Sequence, residues 1–372
     1  MVCRSVREIS PIEWHRVYPD VLESYHFYQT LEESGFDQFS FYYILIYRAE
    51  QLAGIAPCFL MAYPLDTTIQ GPLKTLTMAI RKMIPGFLNL RALIAGLPMD
   101  QGRIGIADDN APAVWDAMNQ CLEQIAAREK ASVIAFKDFA ADYGPLLDPS
   151  RRAGFHKMDC MPSTEMAVPF ASFDEYLKTL SRASRDGVKR KLKKTDGAVK
   201  IGFEMTDRLD PDTLEAVFRL YLDTARRMNV DFEKVPKSFF ALISKHMPRE
   251  TKYFLWRIDG KLVAFALCLV SPDRLIDLYL GFDYSVAHQH HLYFIRFRDL
   301  MNWCLRHKIK IYEMGTTGYE PKKRLGFDFV PLYVYARHRN PWLNPFFGLL
   351  CAFLKPERFD PVLNAMKRKK RA

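Results

Sequence analysis

Seven cysteines in 372 residues, odd in number and widely spaced, provide no disulfide framework and no paired spacing that would close around zinc. Cys3, Cys58, Cys121, Cys160, Cys268, Cys304 and Cys351 stand mostly in apolar runs, where a thiol behaves as a small hydrophobe. No stretch reaches the roughly 18 to 20 apolar residues of a spanning helix, and the opening Met1-Val2-Cys3-Arg4-Ser5-Val6-Arg7-Glu8 lacks the apolar core of a secretory leader. The expectation is a cytoplasmic protein without a metal centre. His288, His290 and His291 come nearest to a metal cluster, but no acidic or cysteine partner stands at ligand spacing, and a polar helix entry accounts for them.

What is present is ordinary globular composition, 49% hydrophobic and 26% charged, in a chain too long for one small core. Two domains are the default. The net charge of +10, from 53 basic and 43 acidic residues, favours polyanionic company such as nucleotide phosphates, anionic lipid or RNA.

The two halves read alike. Ile44 to Met61 lies without gaps on Phe254 to Ser271, matching Leu45 with Leu255, Leu52 with Leu262, Ala56 with Ala266 and Cys58 with Cys268. Met118-Asn119-Gln120-Cys121-Leu122 is echoed by Met301-Asn302-Trp303-Cys304-Leu305, and Arg152-Ala153-Gly154-Phe155 by Arg324-Leu325-Gly326-Phe327. Three matches in one order indicate duplication. Each half reads as a hairpin, an amphipathic helix (112–129 and 290–307) and a short apolar strand (132–138 and 309–314), an alternation that predicts a mixed α/β sheet in each. Asp174 to Lys194 reads as one helix opening the second half. The expected divisions are 1–168, 169–338 and an apolar, basic tail 339–372.

Phe173-Asp174-Glu175-Tyr176-Leu177, Leu180-Ser181 and the cluster Arg185, Lys189, Arg190, Lys191 resemble the opening of FemAB-like acyltransferase domains of the GNAT superfamily. Glu313-Met314-Gly315, followed by Lys322-Lys323-Arg324-Leu325-Gly326-Phe327, is similar to that family's strand, glycine turn and lysine-containing loop. The resemblance covers residues 170–338 and, through the repeat, implies tandem GNAT-like halves. It implies an N-acyltransferase with acyl-CoA, such as acetyl-CoA, as co-substrate and an amine as acceptor. Aminoacyl-tRNA is the alternative donor. The place where such enzymes cradle the donor pyrophosphate falls on Gly281-Phe282-Asp283-Tyr284-Ser285-Val286-Ala287-His288-Gln289-His290-His291, which makes Gly281, His288, Gln289 and His290 the cofactor-binding candidates. The turn departs from the family's pattern in having no second glycine; Gly102-Arg103-Ile104-Gly105 in the first half is a near miss.

Acyl transfer to an amine needs a base, oxyanion donors and an acid for the leaving group. A strand's period of two in Leu275-Ile276-Asp277-Leu278-Tyr279-Leu280-Gly281 places Asp277, Tyr279 and Gly281 on one face. Asp277 is the candidate base, Tyr279 or Tyr284 the acid, and amides near Gly281 the oxyanion donors, against the plainer reading that Asp277 pairs with an Arg or Lys. Glu313 closes the strand Ile309 to Met314, a position where α/β sheets present reactive groups; the plainer reading is a salt bridge. Lys322, Lys323 and Arg324 crowd a loop where a fixed cation would hold a phosphate or carboxylate; by resemblance, a lysine here meets donor or acceptor.

The basic stretch 182–194 suits tRNA, a nucleotide-sugar lipid head or an anionic membrane. Trp342 to Leu354, with Lys367-Arg368-Lys369-Lys370-Arg371 behind it, reads as an interfacial anchor on the inner membrane face, and the apolar, basic stretch Leu76 to Leu97 would extend it. The alternative is that both pack on the globular body, the tail's aromatics covering the second half's sheet. These features lead to an envelope, glycan or lipid-linked acceptor. A catalytically silent module that binds anionic lipid or RNA is the rival from another class.

Overall fold

The structure is a computed structural model that describes residues 1–64, 89–107, 111–228, 234–358 and 360–371. The strands in chain order are β1 (Val2–Cys3), β2 (Ser40–Arg48), β3 (Gln51–Pro64), β4 (Asn89–Ala95), β5 (Gly105–Ile106), β6 (Val133–Ala140), β7 (His156–Asp159), β8 (Ser163–Ala167), β9 (Gly202–Thr206), β10 (Thr251–Ile258), β11 (Lys261–Val270), β12 (Arg274–Phe282), β13 (Ile311–Glu313), β14 (Asp328–Val330) and β15 (Leu332–His338). They form two mixed sheets, so the expected α/β class holds. The first runs β1-β2-β3-β4-β6-β15-β7, with β5 beside β3; the second runs β9-β10-β11-β12-β13-β8-β14.

The two orders are the same path. In each sheet the fourth and fifth strands are parallel (β4 with β6, β12 with β13) and every other neighbour in the order is antiparallel. The repeated hairpins agree residue by residue: Ile44 faces Ala56 as Phe254 faces Ala266, and the register slips after Ile46 in one and after Trp256 in the other. Both turns take positive φ at two successive residues, Ala49-Glu50 and Asp259-Gly260, the geometry a two-residue turn needs to match strand twist.

The chain divides into two compact units, Met1–Glu32 with Phe36–Met161 and Pro331–Ala372, and Glu33–Gly35 with Pro162–Val330. The expected divisions at 168/169 and 338/339 therefore differ from the observed ones by one strand each. β8, placed in the first half, pairs with β13 and β14; β15, placed in the second, pairs with β6 and β7. Each sheet takes its sixth strand from the other stretch of sequence, which the repeat alone does not reveal.

In the first unit the helix Ala111–Arg128 buries Val114, Trp115, Met118, Leu122 and Ile125 against the sheet. In the second the helix Leu292–Arg306 does so with Leu292, Ile295, Leu300 and Cys304. The single helix expected over 174–194 is two, Phe173–Thr179 and Arg182–Asp196, because Leu180 is extended and the Ser181 hydroxyl accepts from the Ser184 amide to start a new helix. The tail also differs from expectation. Its helix Asn344–Phe353 belongs to the first unit: the Asn344 side chain donates to the Gly154 carbonyl at 2.9 Å, and Gly348 leaves room only for the His156 ring. Of the stretch Leu76 to Leu97, residues 76–88 lie outside the described residues.

Candidate functional site

The second sheet opens where its parallel strands part. β12 and β13 pair only from Arg274 with Ile311 to Ile276 with Glu313; β12 then runs on to Phe282 with no strand described along that edge. At the same point β12 carries a bulge: Cys268 of β11 faces Asp277, but its neighbour Leu267 faces Tyr279, leaving Leu278 as an extra residue.

That extra residue overturns the expected shared face. Tyr279 and Gly281 point to one side of the sheet, where the Tyr279 ring lies 5.6 Å from Tyr221, 5.8 Å from Phe239 and 6.0 Å from Phe240. Gly281 is closed in by Phe265 and the Leu220 backbone; a Cβ there would stand 2.6 Å from the Leu220 carbonyl carbon. Asp277 points to the other side, beneath the helix Leu292–Arg306. A period of two holds only while the ladder is regular.

Asp277 is not a free base. It is buried, its Oδ2 accepts a hydrogen bond from the Arg296 guanidinium, and the Tyr312 hydroxyl donates to the same oxygen at 3.1 Å. Burial works against the charge on Arg296, and the Asp277 carboxylate, with the Tyr312 and Tyr293 rings, outweighs it, so the guanidinium stays ionised. Burial, then Asp277, raises the Tyr312 phenol well above its usual range. A carboxylate committed to a buried ion pair is a poor acceptor for a substrate proton, and the pairing reading is the one observed. Asp277 Oδ1 and Arg296 Nε and Nη2 are buried without a hydrogen-bond partner.

Beside this pair lies Lys322. The loop expected over 322–324 is a short helix, Tyr319–Arg324, and its three cations part company. Lys323 and Arg324 are exposed, Arg324 bonding Glu320 at 2.9 Å. Lys322 is 5% exposed, and its Nζ donates to the carbonyls of Met314 at 2.7 Å, Gly315 at 3.1 Å and Thr316 at 3.2 Å. Burial pushes its pKa down to about 7; the nearby Asp277 and Glu313 carboxylates favour the ammonium, and Arg296 opposes it. Three converging carbonyls also suit an ammonium, which has three protons to give.

Glu313 ends β13 as expected but is buried inside the sheet, accepting from Arg274 at 2.7 Å and from the Ser163 hydroxyl at 3.1 Å. Tyr284 starts the short helix Tyr284–Ala287 beyond β12, with the Arg227 guanidinium 4.3 Å above its ring. His288 and Gln289 are exposed in the turn before the next helix, whereas the carbonyl of half-buried His290 accepts from the Thr195 hydroxyl at 2.9 Å. The structure thus brings the Asp277 and Glu313 carboxylates near Lys322, and the sheet separates Tyr279 and Gly281 from Asp277. No group of three or more His, Cys, Asp or Glu arranged to hold a metal occurs among the described residues.

Arg296 and Tyr312 were not foreseen. Arg296 sits four residues from both Leu292 and Leu300 on the buried stripe of its helix, and a lone guanidinium at a core position is the signal that identifies it.

Residues 88–365 match the FemAB-like family, described as peptidoglycan biosynthesis/recognition. The chain belongs to the FemAB-like family. Its fold is similar to those of solved structures: the crystal structure of FemX is 15% identical, covering 94% of this chain and 100% of that one, with a TM-score of 0.56. L-PGS from Bacillus licheniformis is 9% identical over 93% of this chain and 96% of its own, with a TM-score of 0.50. Among curated proteins, the putative 8-amino-7-oxononanoate synthase 2 of Mycobacterium tuberculosis is 24% identical over 325 residues, 84% of this chain. This FemAB-like chain spans 42% of that relative's length. No helix among the described residues is long and apolar enough to cross a membrane.

Proposed function

We propose that this FemAB-like chain is an N-acyltransferase that moves an acyl group onto an amine of a peptidoglycan precursor or another envelope or lipid-linked glycan, with the second sheet as the catalytic one. The amide bond forms between the acyl carbonyl carbon and the amine nitrogen. The bond to the donor's thiol or hydroxyl breaks, and the amine proton passes to that leaving group.

The observation that carries this reading is the parting of β12 and β13 beside buried charge. Past Ile276 the edge of β12 carries no strand among the described residues and can accept an extended, amide-bearing donor arm as an added strand. The turn after β13 turns three successive carbonyls, Met314 to Thr316, toward Lys322. Because peptide units are planar and trans, the amides that follow those carbonyls face away from the ammonium, and Gly315, Thr317 and Gly318 take positive φ, as in backbone nests that bind anions. Such a turn serves as the oxyanion site, and Lys322 holds it in shape. Tyr284, half-buried at the far end of β12, is the remaining candidate acid, with Glu313 fixing Arg274 at the strand's end.

Acyl-CoA is the donor we favour. Aminoacyl-tRNA is the second reading, favoured by the helix Arg182–Asp196, on which Arg182, Lys189, Arg190, Lys193 and Lys194 are exposed. Calorimetric titration with acetyl-CoA, a longer acyl-CoA and a charged tRNA separates the two. Saturable heat with an acyl-CoA, together with acylated muropeptide amine detected by mass spectrometry and a fall of about 10²-fold or more in kcat for Lys322→Met, supports the proposal. No heat with any donor in folded protein removes it.

A further inference from the structure

The helix Asn344–Phe353 of the first unit has one face packed and one face exposed among the described residues. Cys351 is buried, and the His156 ring fills the space at Gly348. On the opposite side Trp342, Phe346, Leu349 and Phe353 follow at intervals of four, three and four residues, which lines them along one helical stripe, and they are 83%, 70%, 70% and 60% exposed. A run of large apolar side chains left in water is the kind of patch that marks an interaction surface.

The segment that carries the stripe is basic in sequence. Between residues 339 and 372 the sequence carries eight Lys or Arg against two acidic residues. One of those two, Glu357, is tied to Lys367 in an ion pair, and the other, Asp360, caps the start of the helix Pro361–Arg371 with hydrogen bonds to the amides of Val362 and Leu363. Both acids are therefore engaged within the segment. Arg358 lies over the Phe353 ring at 4.3 Å, which places a guanidinium at the edge of the stripe, and Lys355 is exposed beside it. A protein partner would be met by complementary pockets and acidic groups; a band of aromatics bordered by cations matches the boundary between acyl chains and anionic headgroups.

We infer that this face is a docking surface for an anionic lipid bilayer, on which the helix Asn344–Phe353 lies parallel to the membrane plane, its apolar stripe among the headgroups and its neighbouring basic residues on lipid phosphates. The inference is independent of the transferase reading, because it concerns a different surface and is tested without catalysis.

Trp342 makes the test direct. The other four tryptophans, Trp14, Trp115, Trp256 and Trp303, are buried, so a change in the emission of exposed Trp342 reports on this face. The full chain is mixed with vesicles of phosphatidylcholine alone, or with about one third phosphatidylglycerol, at low and at raised salt. The expected result is co-sedimentation with the anionic vesicles only, weakened by salt. A blue shift of Trp342 and quenching by brominated acyl chains should accompany it, both lost in Trp342→Phe. Phe346→Ser with Phe353→Ser, at exposed positions, should reduce binding at least about tenfold, since each removes a large apolar group from the bilayer. Absence of vesicle binding, binding indifferent to those substitutions, a lipid-free dimer that shields Trp342, or salt-sensitive capture of single-stranded RNA in place of vesicles would each overturn the inference.

Discussion

The two sheets are built alike and differ at one place. In the second, Asp277 is followed by a one-residue bulge, and four residues later Gly281 faces Phe265. In the first, the residue that faces Cys58, as Asp277 faces Cys268, is Ala95, and the chain then leaves the ladder. It returns ten residues on at Gly105, which faces Ile55, the counterpart of Phe265. The excursion folds into the opening of its own sheet: the Gly102 amide donates to the Asp138 carbonyl at 3.0 Å, and a Cβ on Gly102 would stand 2.2 Å from the Lys137 carbonyl oxygen. The cluster is lost as well. Where the second sheet has Asp277, Tyr312 and Glu313, the matching ladder positions of the first hold Ala95, Ile134 and Ala135. A duplicated scaffold has kept an open, charged parting in one copy and filled it with its own backbone in the other.

The hardest blow to this contrast is removal of the buried guanidinium. Arg296→Met should destabilise the second unit by about 3–5 kcal/mol, because it strands Asp277 as a buried charge, while adding Asp277→Leu should recover most of the loss. Urea unfolding of the single and double variants measures it. If the single variant is as stable as the parent, the charged cluster is not what distinguishes the second sheet.

Acid and alkali should act on the two units in opposite senses. In the first, burial and then the neighbouring Glu23 carboxyl hold the Asp100 pKa well above its usual value. An acid with a raised folded pKa contributes stability that is complete below its unfolded pKa near 4 and is lost as pH rises toward the folded one. In the second, Lys322 has a folded pKa pushed down to about 7 from 10.5. Its stability contribution is present above 10.5 and is lost as pH falls to 7, after which nothing further is lost. Each group gives a slope of at most about 1.4 kcal/mol per pH unit. Hydrogen exchange followed by unit should show protection in the first falling above pH 4 and protection in the second rising between pH 7 and 10.5. Asp100→Asn should flatten the one slope and Lys322→Met the other.

The smallest effect lies in the matched hairpin turns. Ala49-Glu50 adopts positive φ with two side chains that resist it, whereas its counterpart is Asp259-Gly260. Glu50→Gly, which gives the first turn the second one's solution, should raise the melting temperature slightly, by an amount worth about 0.5–1 kcal/mol. A fall would mean that the two turns are not equivalent in energy.

How much of this was readable beforehand follows from the same comparison. The gapless match of 44–61 with 254–271 is a match of local pattern, and the hairpins obey it down to the slip in register. The glycine at 281 and the acid at 277 were legible as residues, but their placement on opposite faces was not, because a bulge is set by what packs above and below the strand. Lys322 was singled out for its charge, and its burial was hidden by two exposed neighbours of the same sign. Arg296 hid in the opposite way, as one polar residue in an apolar stripe. The exchanged strands β8 and β15 left no trace in periodicity, since a strand reads the same whichever sheet receives it.

That exchange sets a timetable for synthesis. A ribosome delivers the first unit's strands β1 to β7 by residue 159, yet the β15 strand that must lie between β6 and β7 is not made until residues 332–338. At ~5–20 residues per second the wait is about 9 to 35 s. Through that interval the facing edges of β6 and β7 have no partner, while the second unit has only Val330 to reach before its own sheet can close. The sheet that is begun first therefore receives its last strand after the other has all of its own, and its β6 and β7 edges stay unpaired longest during synthesis.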